Sequence, residues 1–185
     1  HRDLHSFPTR RSSDLLFDFV KKFMEQWDIY DKNFAKTGKT ICRGEKLQDD
    51  EYHLVVNAWI VNKKGEFLIT QRNANKSHPY MWECTGGSAL QGENDIDACV
   101  REIKEELGID IDPTTAHFVG MTTRYYSGCP DILRVYTFHD NTPVTDVKIQ
   151  KEEVMNVMWA SKETILELYN SGKFEANAFF GNIII

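Results

Sequence analysis

The hydrophobic positions of this chain follow two different periods, which together predict a fold that mixes strands and helices. Residues 52–61 (YHLVVNAWIV) are rich in β-branched and aromatic side chains, and residues 66–72 (EFLITQR) resume that pattern after a turn at 62–65. These two segments predict a β-hairpin. Further strands are predicted at 118–123, 132–139 and 154–159.

The other period is that of an amphipathic helix. Apolar residues recur at Ile96, Val100, Ile103 and Leu107, which predicts a helix over about Asp95–Leu107 with one buried face. Asn94 is a typical N-cap and Gly108 a typical C-terminal stop. A second helix is predicted from Ser161 to about Tyr169. Strands and helices in this order indicate an α/β (α+β) fold with a mixed sheet.

The first of these helices carries three glutamates on one side. At about 100° per residue, Glu102 and Glu106 project within about 40° of each other and Glu105 lies about 60° from Glu102, all off the apolar stripe. Carboxylates at this spacing repel, and the C-terminal half of a helix disfavours negative charge. A positive partner is therefore expected, either from Arg101, Lys104 and solvent or from a divalent cation. Oxygen ligands alone favour magnesium or manganese.

Composition narrows the function classes. The 185 residues fit one domain, with 41% hydrophobic and 27% charged residues. No segment approaches the roughly 18 apolar residues of a membrane span, so no membrane association is expected. The four cysteines form no Cys-x-x-Cys pair, which predicts a reducing, cytoplasmic location. A net charge of −6 argues against a nucleic-acid polymer as partner and leaves a small, cation-bridged phosphate ligand open.

The N-terminal residues require separate treatment. Residues 1–15 (HRDLHSFPTRRSSDL) match the in-frame translation of a short-read sequencing adapter, and we interpret them as an artefact. A targeting peptide is disfavoured because the segment has no apolar core and contains Asp3 and Asp14. Met24 is then the expected start. The rest divides into a polar arm (16–50), a domain (51–174) and a tail (175–185) that either packs on the domain or marks a truncated frame.

One spacing in the chain is highly specific. From Gly87 the residues run GSALQGENDIDACVREIKEELGI, with Glu93 after five residues and Arg101-Glu102 after seven more. This segment, 87–109, resembles the Nudix box of the Nudix hydrolases and fills every specified position of that signature. The flanking hairpin, Trp82 and the helix start at Ser161 extend the resemblance over most of the chain.

The resemblance implies an α/β/α sandwich and a Mg-dependent hydrolase that cleaves a diphosphate linkage, such as that of a nucleoside diphosphate linked to another moiety. It implies that Glu102, Glu105 and Glu106 hold Mg²⁺ (or Mn²⁺), with the Gly87 carbonyl as a further ligand. The general base is Glu102 or Glu105, or a loop residue such as Glu152 or Glu153. The matching positions with a structural role are Glu93, Arg101 and Gly108.

Substrate contacts are expected outside the Nudix box. Arg72 ends a strand and suits a phosphate clamp. The aromatic candidates for holding a flat group are Tyr80 and Trp82 before the box and Tyr125 and Tyr126 after it. The loops at 73–80 and 125–131 are expected to select the leaving group. A homodimer formed through the arm at 25–48 is a further expectation.

Two alternative functions stay open. The segment before the box also resembles isopentenyl diphosphate isomerases on the same fold, but their catalytic cysteine has no match, since Cys84 lies closer to the strand than Thr85-Gly86-Gly87-Ser88. The other alternative is a non-catalytic nucleotide-ligand sensor. The intact box disfavours a sensor, because such domains usually show a degraded one.

Overall fold

The computed structural model of the protein describes residues 25–126 and 129–185. The adapter-like segment 1–15 and the expected start at Met24 lie outside these residues, as does the side chain of Tyr126. The strands are β1 (Gln26–Tyr30), β2 (Lys36–Cys42), β3 (His53–Val61), β4 (Phe67–Arg72), β5 (Trp82–Glu83), β6 (Thr85–Ser88), β7 (His117–Tyr126), β8 (Cys129–His139) and β9 (Val154–Ala160). The α-helices are α1 (Asp95–Leu107), α2 (Lys162–Asn170) and α3 (Phe180–Ile184), with short 3-10 turns at Pro113–Thr115 and Val144–Asp146.

The strands form a mixed sheet with β3 at its centre. Strand β3 pairs in parallel with β8 and antiparallel with β4 and β6. Strand β7 extends the sheet beyond β8, while β5 and β9 both pair with β4. Strands β1 and β2 form a separate antiparallel hairpin. The predicted hairpin at 52–72 is therefore confirmed, and so is the mixed sheet.

Side-chain alternation along β3 builds two cores on opposite faces of the sheet. One core packs α1 against the even-numbered residues Leu54, Val56, Ala58 and Ile60. The other core packs α2 and α3 around Trp59. The protein is thus an α/β/α sandwich, as its resemblance to the Nudix hydrolases implies. None of the helices within the described ranges is long and apolar enough to cross a membrane.

Helix α1 begins and ends where its sequence predicts. The Asn94 side chain accepts a hydrogen bond from the Asp97 N–H at 2.9 Å. Gly108 adopts the left-handed conformation (φ 69°), and its N–H donates to the Lys104 carbonyl at 2.9 Å. These caps fix the register of the glutamates on α1.

The arm has more structure than its polar sequence predicts. Strand β2 is mostly polar and exposed, so its sequence shows no hydrophobic alternation. The strand is held by its antiparallel pairing with β1. The hairpin is attached to the domain through reciprocal backbone hydrogen bonds between Tyr30 and Tyr52, at 2.8 and 2.9 Å. The tail also packs on the domain, since Phe180, Ile183 and Ile184 are buried in the second core.

Candidate active site

A cleft of about 1750 Å³ opens beside the first half of β3. His53, Val55 and Asn57 form part of its wall, because they lie on the face of β3 opposite to the buried even-numbered residues. Helix α1 contributes Glu102 and Glu105 to the same cleft. The cleft therefore brings together the first half of the central strand β3 and two of the three predicted glutamates.

Arg101 organises the carboxylates on this side of the cleft. Its Nε and Nη2 atoms donate to Glu93 at 2.7 and 3.1 Å, and its Nη1 donates to Glu102 at 2.9 Å and to Glu105 at 3.0 Å. Nη2 also donates to the Ser88 carbonyl at 2.9 Å. Its burial disfavours the charged form, but these partners outweigh that effect and raise the pKa of the Arg101 guanidinium. Arg101 thus joins helix α1 to the loop that precedes it.

Gly87 is adjacent to the Glu102 carboxylate. A Cβ atom at this position would lie 2.8 Å from Glu102 Oε2 and closer still to Oε1. Ordinary contacts between such atoms are about 3.5 Å or longer. Only glycine therefore lets the carboxylate of Glu102 pack directly against the backbone of β6.

Glu106 is buried, although it does not lie on the apolar stripe of the helix. Its side chain is only 4% exposed, and Lys76 Nζ lies 3.7 Å from its Oε1 atom. The same Lys76 ammonium donates to Glu153 at 2.9 Å. Backbone bonding of Gln150 to the Glu106 carbonyl at 2.9 Å brings the segment around Glu153 onto the helix end.

The electrostatics of this cluster follow from burial and repulsion. Burial raises the pKa of the Glu106 carboxyl well above its usual range, and Glu102, Glu83 and Glu153 raise it further. Burial also raises the pKa of Glu102, although Arg101 opposes the shift. For Lys76, burial disfavours the ammonium, but the surrounding carboxylates outweigh it and raise its pKa. Lys76 is therefore held in the charged form.

The donor set suits a hard divalent cation. Five carboxylates, those of Glu93, Glu102, Glu105, Glu106 and Glu153, meet two cations, Arg101 and Lys76. Negative charge is in excess, and oxygen is the ligand atom that Mg²⁺ and Mn²⁺ prefer. Within the described ranges no three His, Cys, Asp or Glu side chains are gathered as a metal-ligand group. The fit is thus one of charge and ligand chemistry rather than of preformed coordination.

The NUDIX domain profile matches residues 51–179, about two thirds of the chain, including the whole acidic cluster. The chain belongs to the Nudix family. An uncharacterized Nudix hydrolase of Listeria monocytogenes is 39% identical over 155 residues, which covers 82% of this chain and 88% of that protein. A CTP pyrophosphohydrolase of Escherichia coli is 32% identical over 112 residues, covering 60% and 78% of the two chains.

Solved structures agree on the fold. A Deinococcus radiodurans protein, DR0079, superposes with a TM-score of 0.68 at 21% identity, covering 86% of this chain and 97% of its own. A MutT protein of Methanosarcina mazei superposes with a TM-score of 0.57 at 27% identity, covering 72% and 90%. Family and relatives together make this chain a Nudix-type diphosphate hydrolase.

Arg72 lies in the wall of the Nudix cleft, but its guanidinium is bound to the protein. It donates to Glu83 at 2.6 Å, to the Ser77 carbonyl at 2.7 Å and to Ser77 Oγ at 2.9 Å. These contacts fasten the loop at 73–80 to the end of β4. The loop in turn carries Lys76 to the glutamates.

The aromatic candidates separate into two groups. Tyr80 is exposed and Trp82 packs against the second core, and neither ring is among the described residues that line the cleft. Trp82 is drawn to the core because the β5 backbone bonds to the segment before α3, with Trp82 N donating to the Lys173 carbonyl at 2.8 Å. Tyr125, by contrast, lines the cleft and is 75% exposed.

Sequence reasoning missed two residues of the site, Lys76 and Glu83. Both come from segments without a periodic pattern, so only the Arg72 contacts and the folding of the 73–80 loop bring them to Glu106. Lys104, one of the predicted positive partners, instead pairs with Asp110 at 2.6 Å. Glu152 and Glu153 both line the cleft, and Glu153 reaches the acidic cluster through Lys76.

Proposed function

We propose that this protein is a Mg²⁺-dependent hydrolase that cleaves the diphosphate linkage of a nucleoside diphosphate joined to another moiety. The observation that carries the proposal is the excess of carboxylates over cations where the Nudix box opens into the cleft. A diphosphate brings further negative charge, so it can approach this surface only with cations between the two. Both substrate and site therefore favour a divalent ion.

The proposed ligands of the ion are the carboxylates of Glu102, Glu105 and Glu106 and the carbonyl of Gly87, with Mn²⁺ as a second suitable ion. When bound, Mg²⁺ supplies charge neutralisation of the diphosphate and activation of a water molecule. Arg101 keeps Glu102 and Glu105 in place through hydrogen bonds of 2.9 and 3.0 Å. Glu93 and Gly108 support this arrangement by fixing Arg101 and the helix end.

A general base must take the proton of the attacking water. Glu102 and Glu105 are the proposed bases on α1, because both line the cleft. Glu153 is the proposed alternative, with Glu152 beside it, since both line the cleft next to Lys76. Single Gln variants distinguish them, because loss of the base flattens the acidic limb of the pH–rate profile, whereas loss of a positioning contact only lowers the rate.

On the substrate side, we propose that Arg72 acts mainly by holding the 73–80 loop, and that the Lys76 ammonium contributes positive charge beside the diphosphate. Arg72 is only 11% exposed, and its contacts to Glu83 and Ser77 restrict its reach as a clamp. Lys76 has a flexible stem and lies at the junction of the cleft and the acidic cluster.

The test compares wild-type protein with Glu106→Gln and with Glu167→Gln, a matched change on the exposed surface of α2. We expect Mg²⁺-dependent diphosphate cleavage that EDTA abolishes and that excess Mg²⁺ restores. Glu106→Gln should lose at least 100-fold in kcat/KM while staying folded by circular dichroism, and Glu167→Gln should keep its activity. Full activity in EDTA or in Glu106→Gln would contradict the proposal.

A second candidate is isomerisation of isopentenyl diphosphate. An isopentenyl-diphosphate Delta-isomerase of Escherichia coli is 28% identical over 123 residues, covering 64% of this chain and 66% of that protein. Cys84 offers no reactive thiol for such chemistry, because its burial strongly raises the pKa of the thiol. Isomerisation leaves the substrate mass unchanged, so mass spectrometry separates the two activities.

Location and assembly complete the proposal. All four cysteines are free, which supports a reducing, cytoplasmic environment. A homodimer through the β1–β2 hairpin stays a prediction. Light scattering coupled to gel filtration tests it, and a monomer at all concentrations would contradict it.

A further inference from the structure

The cleft extends well beyond the acidic cluster, to the start of β3 and the β7–β8 pair. We call this part the distal end and define it by Trp27, His53, Arg124, Tyr125 and Asp131, all of which line the cleft. His53 and Asp131 are direct partners in the parallel pairing of β3 with β8. Neither the Nudix box nor the diphosphate chemistry above uses these side chains.

The strand register gives the distance between the two ends. Gly87, which packs against Glu102, is the antiparallel partner of Val56. His53 lies three residues before Val56 on the same strand, which is about 10 Å at about 3.3 Å per residue. A sugar and a base can span this distance. The organic substituent of a diphosphate held near Glu102 is therefore long enough to reach His53.

His53 presents a defined hydrogen-bonding pattern. Its Nδ1 lies 3.1 Å from the Pro130 carbonyl, and a carbonyl only accepts, so Nδ1 carries the proton. Burial lowers the pKa of His53 to about 4, which keeps the ring neutral at physiological pH. Nε2 is therefore an acceptor. The ring plane is fixed by stacking on Trp27, with centroids 4.3 Å apart.

Arg124 and Asp131 add a second oriented polar group. Arg124 Nε and Nη2 donate to the two carboxylate oxygens of Asp131 at 2.9 and 3.1 Å, and the Asp131 side chain is only 3% exposed. The paired geometry holds the guanidinium as a flat, oriented surface. Covering such a pair with a purely apolar chain removes water from its charges without replacing the lost hydrogen bonds. A prenyl chain is therefore a poor occupant.

The distal end also includes the ring of Tyr125, which is 75% exposed at the cleft. Exposed tyrosine rings and arginine planes are the groups on which proteins stack nucleobases. We propose that the distal end binds the base of a nucleotide substrate, with Tyr125 stacking on the base and His53 Nε2 accepting a hydrogen bond from one of its N–H groups. This inference rests on the proposed function, and it assigns the part of the substrate that the Nudix box does not recognise.

The test uses nucleoside monophosphates, which contain no diphosphate linkage and so bind without turnover. Dissociation constants are measured calorimetrically for AMP, CMP, GMP and UMP, with isopentenyl monophosphate as the apolar reference. The proteins are wild type, Tyr125→Ala, His53→Phe and Phe118→Ala. Phe118 is the matched control, because it is also an exposed aromatic residue of β7 and does not line the cleft.

We expect at least one nucleotide to bind more tightly than isopentenyl monophosphate. Tyr125→Ala should weaken that binding about tenfold, within the range known for loss of base stacking, and Phe118→Ala should not change it. His53→Phe keeps a ring against Trp27 and should also weaken binding. Tyr125 is exposed, so its variant stays informative even if His53→Phe unfolds.

Two results would overturn the inference: tighter binding of isopentenyl monophosphate than of every nucleotide, or equal affinities in Tyr125→Ala and Phe118→Ala. Hydrolysis of diphosphates is assayed separately. If nucleotides bind through Tyr125 but no diphosphate is cleaved, the inference stands and the proposed function fails. If diphosphates are cleaved without Tyr125-dependent nucleotide binding, the inference fails and the proposed function stands.

Discussion

Replacing Gly87 with alanine is expected to damage activity far more than stability. The added Cβ would lie 2.5 Å from Cδ of Glu102 and 2.8 Å from its Oε2. Oε1 would lie closer still, so relief to an ordinary contact of about 3.5 Å requires the carboxylate to move by at least about 1 Å. Because the obstructed atoms are the end of a flexible side chain, the free energy of unfolding should fall by less than about 1 kcal/mol. A 1 Å displacement of a reacting group costs about 100-fold in rate, or about 2.7 kcal/mol of transition-state stabilisation.

Two other glycines supply controls in which alanine should change stability but not activity. At Gly120 an added Cβ would lie 2.7 Å from Cζ of the Phe179 ring, which cannot yield easily. Gly120→Ala should therefore cost about 1–3 kcal/mol of stability and leave kcat/KM unchanged. At Gly181 in α3 no atom lies within 4 Å of the added Cβ. Gly181→Ala should stabilise the protein by up to about 1 kcal/mol.

The assay for all three variants is kcat/KM on the best diphosphate substrate together with urea denaturation. Of the three variants, only Gly87→Ala is expected to show an activity defect without a stability defect. Wild-type kcat/KM in a folded Gly87→Ala variant would refute the argument that the position of the Glu102 carboxylate matters. A stability loss as large as that of Gly120→Ala would refute the argument that Glu102 yields easily.

Three further predictions concern stability. Arg101→Ala should lower the free energy of unfolding in urea by about 3 kcal/mol, because it leaves Glu93 and Glu102 without their partner. The control is Lys104→Ala, which removes an exposed ion pair and should cost less than about 1 kcal/mol. In EDTA, Lys76→Met should destabilise the protein by about 2–3 kcal/mol, because Glu106 then stays buried among carboxylates without the Lys76 ammonium. The control Lys151→Met, on the surface, should have no effect. The pKa of His53 is lower in the folded protein, about 4, than its ordinary value of 6.5, so the unfolded chain binds this proton first as the pH falls. Between pH 6.5 and 4 the free energy of unfolding of the wild type should thus fall by about 3 kcal/mol more than that of a folded His53→Gln variant. An equal fall in both proteins would contradict the assignment.

The sequence predicted the parts of the fold that local patterns determine. Helix α1 was predicted at its observed bounds because its apolar stripe and both caps, Asn94 and Gly108, are local signals. The sheet strands followed from β-branched runs. Strand β2 gave no such signal, since it is exposed and depends on pairing with β1.

The candidate site was predictable only where it lies on α1. The register of Glu102, Glu105 and Glu106 follows from helix geometry, but the burial of Glu106 depends on the 73–80 loop and the segment around Gln150. Trp82 shows the same limit. Its position beside the box suggests a ligand contact, whereas packing draws its ring into the second core.

Product analysis in ¹⁸O-labelled water shows most directly whether this Nudix family member cleaves a diphosphate with water. A panel of ADP-ribose, nucleotide sugars, dinucleoside polyphosphates, oxidised deoxynucleoside triphosphates and isopentenyl diphosphate is incubated with Mg²⁺ and analysed by mass spectrometry. We expect a nucleotide substrate to split into two phosphate-bearing fragments, one of which gains a single ¹⁸O atom, and we expect Glu106→Gln to form neither fragment. Recovery of every nucleotide intact, or conversion of isopentenyl diphosphate to a product of unchanged mass, would contradict it.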